Sequence, residues 1–299
     1  MATGTLPRVL QTVKARLLRY YYRWVGGRVW AGHFTNAPYS ALQLALPGRQ
    51  LAARVYSSSE GKDLPLIVYF HGGGWVVGNL ESHHPFCQQL RAQAGCTVVA
   101  VDYRLAPEYP FPAALDDCRD AAAWVAAHLE DIGPNNGQIV LGGDSAGGHL
   151  AACAALALDA DTRARLAGAL LIYPVVDHYT APYASYTERA TGQMLTSALM
   201  HWFWDTWLAG QDPQVAAEAG VFPIRSQALA TLPPCLVVTA ERDPLRDEGL
   251  QFAQRLSEAG VSVTSEHYSN AEHGFACSQG PTADFKHFMT LATGWLRTL

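Results

Sequence analysis

The chain has 299 residues, 49% of them hydrophobic, which is enough for one large core, and its net charge of −5 gives a nucleic-acid backbone nothing to bind. It has no run of ~18 apolar residues and no apolar leader with a small-residue cleavage site. Its six cysteines (87, 96, 118, 153, 235 and 277) are widely spaced, so they read as core thiols, and a soluble protein of a reducing cytoplasm is expected.

Charge is unevenly spread. Eight basic residues, from Arg8 to Arg54, precede the first acidic one, Glu60, and the remainder carries a net charge of −13. Such an arm is expected to pack on its own acidic body. The sharper alternative is contact with an anionic membrane surface.

Residues 8–30 read as a basic, aromatic helix with Leu10, Val13, Leu17 and Tyr21 on one face and an end at Gly26-Gly27. Residues 40–56 read as an extended connection into a sheet. From Leu64 onward strands and helices alternate. Strands are expected at 66–70, 97–101, 139–141, 169–173, 235–239 and 261–268, and helices at 112–129, 149–158, 247–259 and 282–296. That alternation predicts an α/β fold, a mostly parallel sheet with helices on both faces. Residues 178–225 break it. They show no strand pattern but contain a tryptophan-rich helix, Ser197 to Leu208. With the N-terminal arm this insertion is expected to roof a pocket at the strand ends, most of its aromatics forming its own small core.

Four strand ends carry residue types suited to acyl transfer. Gly143-Asp144-Ser145-Ala146-Gly147 fits G-x-S-x-G, a strand-to-helix turn that lifts a serine hydroxyl above the sheet edge. His71-Gly72-Gly73-Gly74-Trp75 fits a loop whose bare backbone offers N–H groups to a developing oxyanion, with Gly72, Gly73 and Ala146 as candidate donors. His71 reads as a brace for that loop. A serine needs a base, and the base an orienting acid. Asp243 and His273 each follow a strand and so share the sheet edge of Ser145. Glu241, Asp247, Glu248 and Glu272 compete for the acid's place, although Asp247 and Glu248 read better as the first turn of a helix. His83-His84 resembles half a metal site without a partner cluster, and reads as loop polarity.

Taken together, His71–Trp75, Tyr103–Glu108 with Phe111–Ala114, Gly143–Gly148, Asp243–Gly249 and His273–Phe275 resemble the hormone-sensitive lipase-like family of α/β-hydrolases, the bacterial family IV esterases. The resemblance covers about residues 60–299. It implies an α/β-hydrolase fold with a helical cap, Ser145, Asp243 and His273 as the triad, Gly72, Gly73 and Ala146 as the oxyanion hole, and hydrolysis of carboxylic esters, with short to medium acyl chains expected because a roofed pocket limits length. The corresponding divisions are an N-terminal arm (1–50), a core in two parts (51–177 and 226–299) and a cap insertion (178–225). Trp75, Asp144, Tyr173 and Trp202 are candidate pocket residues. No metal or organic cofactor is called for. The expected partner is a small ester, with no integral membrane association, and the chain is a monomer or homodimer. Amide or formamide hydrolysis on the same residues, a ligand-binding receptor of the same fold, and a membrane-surface lipase are the competing readings.

Overall fold

Strands that are apolar at every position, not only at alternate ones, must be covered on both faces. In the computed structural model, which describes residues 8–31, 38–59 and 61–299, six neighbouring strands make up most of one sheet, those in its middle being of this kind and the last of the six, at the sheet edge, polar and half-buried to exposed along most of its length. They are β3 (Leu66–Phe70), β4 (Val98–Val101), β5 (Ile139–Asp144), β6 (Leu166–Ile172), β7 (Cys235–Arg242) and β8 (Val263–Glu272). All six run parallel, and β1 (Ser40–Leu46) and β2 (Arg49–Tyr56) complete an eight-stranded order β1-β2-β4-β3-β5-β6-β7-β8.

Residues 40–56 are therefore not a plain connection but an antiparallel hairpin on β4 at the sheet edge. The signal was local: Pro47-Gly48 between two runs of alternating apolar residues, with Gly48 at φ +71° where a side chain is disfavoured.

Eleven helices are described: α1 (Arg8–Val29), α2 (His84–Ala94), α3 (Ala113–Ala127), α4 (Leu129–Ile132), α5 (Ala146–Ala157), α6 (Ala160–Arg163), α7 (Ser185–Glu188), α8 (Ser197–Leu208), α9 (Pro213–Glu218), α10 (Arg246–Glu258) and α11 (Ala283–Leu296). Side chains alternate across the sheet between two cores. Leu66, Val68 and Phe70 of β3 join Ala121 of α3, Leu150 of α5 and Phe252 of α10. Ile67 and Tyr69 point the other way, to Phe86 of α2 and Phe288 of α11. No helix is expected at α2 from the residue pattern, since its sequence opens His-Pro and carries three glutamines on a short apolar stripe.

Two details of α1 depart from expectation. The helix continues through Gly26-Gly27 to Val29, although each glycine costs about 1 kcal/mol relative to alanine. Just beyond it Trp30 is fully buried, donates from Nε1 to the Cys277 carbonyl at 3.0 Å, and meets Phe285 edge-on. Moreover, Leu10, Val13, Leu17 and Tyr21 are all exposed, while Gln11 and Ala15 are buried. The helix thus turns its apolar stripe outward and is held by polar contacts. Arg19 donates to the carbonyls of Val76 and Ala106 at 2.7 and 2.8 Å and grips Glu108 with two nitrogens.

In the insertion, α8 begins at Thr196, whose hydroxyl accepts the Leu199 N–H. Its Trp204 and Trp207 are fully buried against Trp75, with the Trp75 and Trp207 rings stacked 4.4 Å apart. Burial of aromatics this large contributes on the order of 2–3 kcal/mol each. The small core of the insertion is thus continuous with one of the two main cores.

Candidate active site

β5 runs directly into α5, and Ser145 is the single residue between them. Its φ of 56° lies in the left-handed region that a serine seldom adopts. The neighbours explain how the turn is tolerated. A Cβ on Gly147 would land on the Phe70 carbonyl oxygen, and one on Gly143 would land on the backbone of Gly147. Only hydrogen at both positions lets strand and helix approach this closely. The Ser145 N–H donates to the Ile172 carbonyl at 2.8 Å, which fixes the turn to β6.

His273 and Asp243 stand where β8 and β7 end. Asp243 is fully buried, and its Oδ1 accepts the Leu245 N–H at 2.9 Å. The other oxygen, Oδ2, lies 2.7 Å from Nδ1 of His273, and Nε2 of His273 lies 3.0 Å from the Ser145 Oγ. A carboxylate can only accept, so Nδ1 carries the proton, and Nε2 is left to accept from the serine hydroxyl. The ring of Tyr173 supports the imidazole at a centroid distance of 4.7 Å.

None of the competing acids reaches His273. Glu241 pairs with Arg189, Arg246 and His267; Asp247 accepts from Arg246 and the Ser185 N–H; Glu272 pairs with Arg242. Glu248 is fully buried and accepts the Val176 N–H at 2.8 Å, and burial raises its pKa well above the usual carboxylate range.

The glycine loop differs from expectation in one respect. Gly72 donates its N–H to Oδ1 of Asp144 at 2.9 Å, so it has no donor to spare for a substrate. Among the described residues, no hydrogen bond takes up the N–H groups of Gly73, Gly74 or Ala146. Gly73 and Gly74 line the space over Ser145 with positive φ, and a side chain on Gly74 would collide with the Phe203 ring of α8. Asp144 is thus a brace as well as a wall of the cavity. The Tyr69 hydroxyl also donates to its Oδ1, at 2.7 Å, and His83 Nε2 lies 3.2 Å away. Burial opposes its charge, but His83, Tyr69 and the Gly72 N–H outweigh that and hold its pKa at about 2.

His71 braces the loop in turn. Nδ1 donates to the Gly72 carbonyl at 2.9 Å and its ring stacks on Tyr103, while burial lowers its pKa to about 3. His83 does have cluster partners: one ligand atom each from His83, Asp144 and Cys277 lies within 4.8 Å of the others. Asp144 Oδ1 is already engaged, however, and burial pushes the Cys277 thiol far up, so the group reads as a hydrogen-bonded brace lacking the thiolate a metal needs. His84 instead faces the Tyr56 hydroxyl at 2.9 Å.

Of the four candidate pocket residues only Asp144 lines the cavity of ≈ 30 Å³ over Ser145. Tyr173 lies behind His273. Trp75 is fully buried on the far side of its loop, donating to His149 Nδ1 at 3.2 Å. Trp202 sits outside the cavity beneath the Lys14 ammonium. The wall is built instead by Tyr22 from α1, by Met194 and Leu195, and by Met200 and Phe203 of α8. A helical wheel does not separate the last two from the core: Met200, Phe203, Trp204 and Trp207 stand at i, i+3, i+4 and i+7 and share one face, so packing alone decides which of them meets the cavity. Burial, then the nearby Asp144 charge, raises the Tyr22 phenol to about 12.

A family model described as the alpha/beta hydrolase fold matches residues 67–277. The carboxylic ester hydrolase LipN of Mycobacterium tuberculosis is 37% identical over 242 residues, 78% of this chain and 63% of LipN. The esterase LipI of the same organism is 37% identical over 238 residues, 77% of this chain and 72% of LipI. Among solved structures, a hyperthermophilic esterase from the archaeon Pyrobaculum calidifontis superposes with a TM-score of 0.87 at 36% identity, covering 95% of this chain and 91% of that one.

Proposed function

This chain belongs to the α/β-hydrolase family, in its hormone-sensitive lipase-like branch, and from that premise we propose that it is a serine carboxylesterase acting through an acyl-enzyme. The observation that carries the reading is the hydrogen-bonded series from Ser145 to His273 to Asp243 at the floor of a cavity.

His273 takes the proton of Ser145 at Nε2 as Oγ attacks the acyl carbon. The N–H groups of Gly73, Gly74 and Ala146 receive the oxyanion, with Ala146 adding the positive end of α5. His273 then protonates the leaving alkoxide, and water, deprotonated by the same nitrogen, releases the acid. Asp243 holds the tautomer and stabilises the imidazolium. The cap, on this reading, is α1 together with the 178–225 insertion, because Tyr22 and Phe203 both close on the serine. A cavity this tight favours short to medium acyl chains. No described helix is long and apolar enough to cross a membrane; the buried free thiols fit a reducing, cytoplasmic setting.

Ser145→Ala is expected to lower ester turnover by on the order of 10⁴-fold or more with an unchanged unfolding midpoint. A fluorophosphonate should label the native chain at Ser145 and spare the variant. Retained turnover in the variant, or a native serine inert to the reagent, overturns the assignment. Matched ester and amide substrates decide against amidase chemistry if only the ester is cleaved.

A further inference from the structure

A helix normally buries its apolar side, but α1 packs only Ala15, Leu18 and Tyr22 inward and leaves a longer apolar stripe in solvent. Leu10, Val13, Leu17, Tyr20, Tyr21 and Trp24 form a continuous exposed face, Leu17 and Tyr20 being 67% and 74% accessible. The charge on this helix is of one sign: its 22 residues include no aspartate or glutamate. Arg19 is spent on Glu108 and Lys14 lies over Trp202, but Arg16 and Arg23 flank the stripe, exposed and in no ion pair with a described residue. The stripe also leads inward. Its surface hollow shares Leu18 and Tyr21 with a cavity of ≈ 280 Å³, and that cavity shares Tyr22, His83 and Met194 with the space over Ser145.

We infer that α1 docks the protein on an anionic lipid surface and presents the mouth of the Ser145 channel to it, so that apolar esters enter from the membrane. An apolar stripe with Tyr and Trp at one end and arginines beside it has the composition of a helix lying in the headgroup region, where each nearby cation strengthens attachment to an anionic leaflet. A second copy of the chain fits worse, because pairing two such faces would oppose two all-cationic helices. Delivery of the ester rests on the esterase reading; docking itself does not.

The test floats the full-length protein with vesicles of phosphatidylcholine alone and of phosphatidylcholine with phosphatidylglycerol. Binding is expected on the anionic vesicles and to be at least about tenfold weaker on the neutral ones. Leu10→Glu/Leu17→Glu should lose at least about tenfold in binding while hydrolysing a water-soluble short-chain ester at the native rate. Arg16→Gln/Arg23→Gln should lose only the preference for anionic lipid, and Ser145→Ala should float as the native chain does. A native chain that stays off anionic vesicles, a double glutamate variant that floats undiminished, or a native dimer that this variant dissociates would overturn the proposal. Flotation with no ester turnover would leave docking intact and remove the esterase reading.

Discussion

Two side chains without a chemical step of their own set the geometry around Ser145. Asp144 collects the Gly72 N–H and the Tyr69 hydroxyl on one oxygen, so removing it strands two buried donors at roughly 1–3 kcal/mol each. Asp144→Ala should therefore destabilise the fold and, by releasing the glycine loop, lower kcat on the order of 100-fold. Asp144→Asn keeps an acceptor at that oxygen and should recover most of kcat; equal losses in the two variants would mean that charge, not geometry, matters. His149 is the second. It accepts from Trp75 Nε1 at Nδ1 and donates from Nε2 to the Val221 carbonyl at 2.6 Å, so a second ring proton would meet a donor. Burial accordingly lowers its pKa to about 4. The unfolded chain, with a histidine pKa near 6.5, then binds the extra proton first. Stability is complete above that value and falls as pH drops toward 4, by about 3 kcal/mol for this residue. His149→Gln should make the urea midpoint less steep in pH across that window, His71 and His178, which burial also holds low, supplying remaining slope; an unchanged slope would assign the acid sensitivity elsewhere.

Among the elements, α1 has the most conditional position. Its inward face is small, Gln11 and Ala15 buried with Leu18 and Tyr22 packed beside them, and it is fastened by Arg19 near its middle and Trp30 just past its end. Arg19→Ala should expose α1 to limited proteolysis well before the sheet is attacked, at a stability cost of about 1–3 kcal/mol. Because Tyr22 then leaves the cavity, KM should rise more for medium-chain than for short-chain esters. Uniform loss across chain lengths would place the acyl site away from α1. The insertion is tied more firmly, since Trp204 and Trp207 bury into the main core.

Across the whole molecule, the two cores flank a sheet whose middle strands are buried on both sides; five of the six cysteines belong to them and Cys153, beside His149, is buried outside both, all six being free thiols. Burial raises the thiol pKa of each, which suppresses the thiolate a disulfide reagent needs. The native protein should resist Ellman's reagent and release six equivalents only on denaturation, and its thermal midpoint should ignore reductant. Rapid native labelling would mean that a core opens locally at low cost. The basic arm, for its part, meets the acidic body through Arg19–Glu108, Arg49–Asp117 and Arg54–Glu81.

The residue pattern alone is enough to place β3 to β8 along the chain and to single out Ser145, Asp243 and His273 as the candidate serine, acid and base. Continuous apolar strands have one stable environment, and glycines around Ser145 have one steric purpose. The 40–56 hairpin, in place of the plain connection expected there, is legible at Pro47-Gly48, a turn between two alternating runs. The occupant of each position around the cavity was decided only by tertiary structure. A loop N–H is free or taken according to where a neighbour's carboxylate lies, which moved the donors from Gly72 toward Gly74. A tryptophan near a glycine loop can face either side of it, and packing with Trp207 turned Trp75 away from the cavity. Periodicity found the apolar stripe of α1 but not its direction, because contacts from Arg19 and Trp30, distant in the chain, are what turn that stripe to the outside.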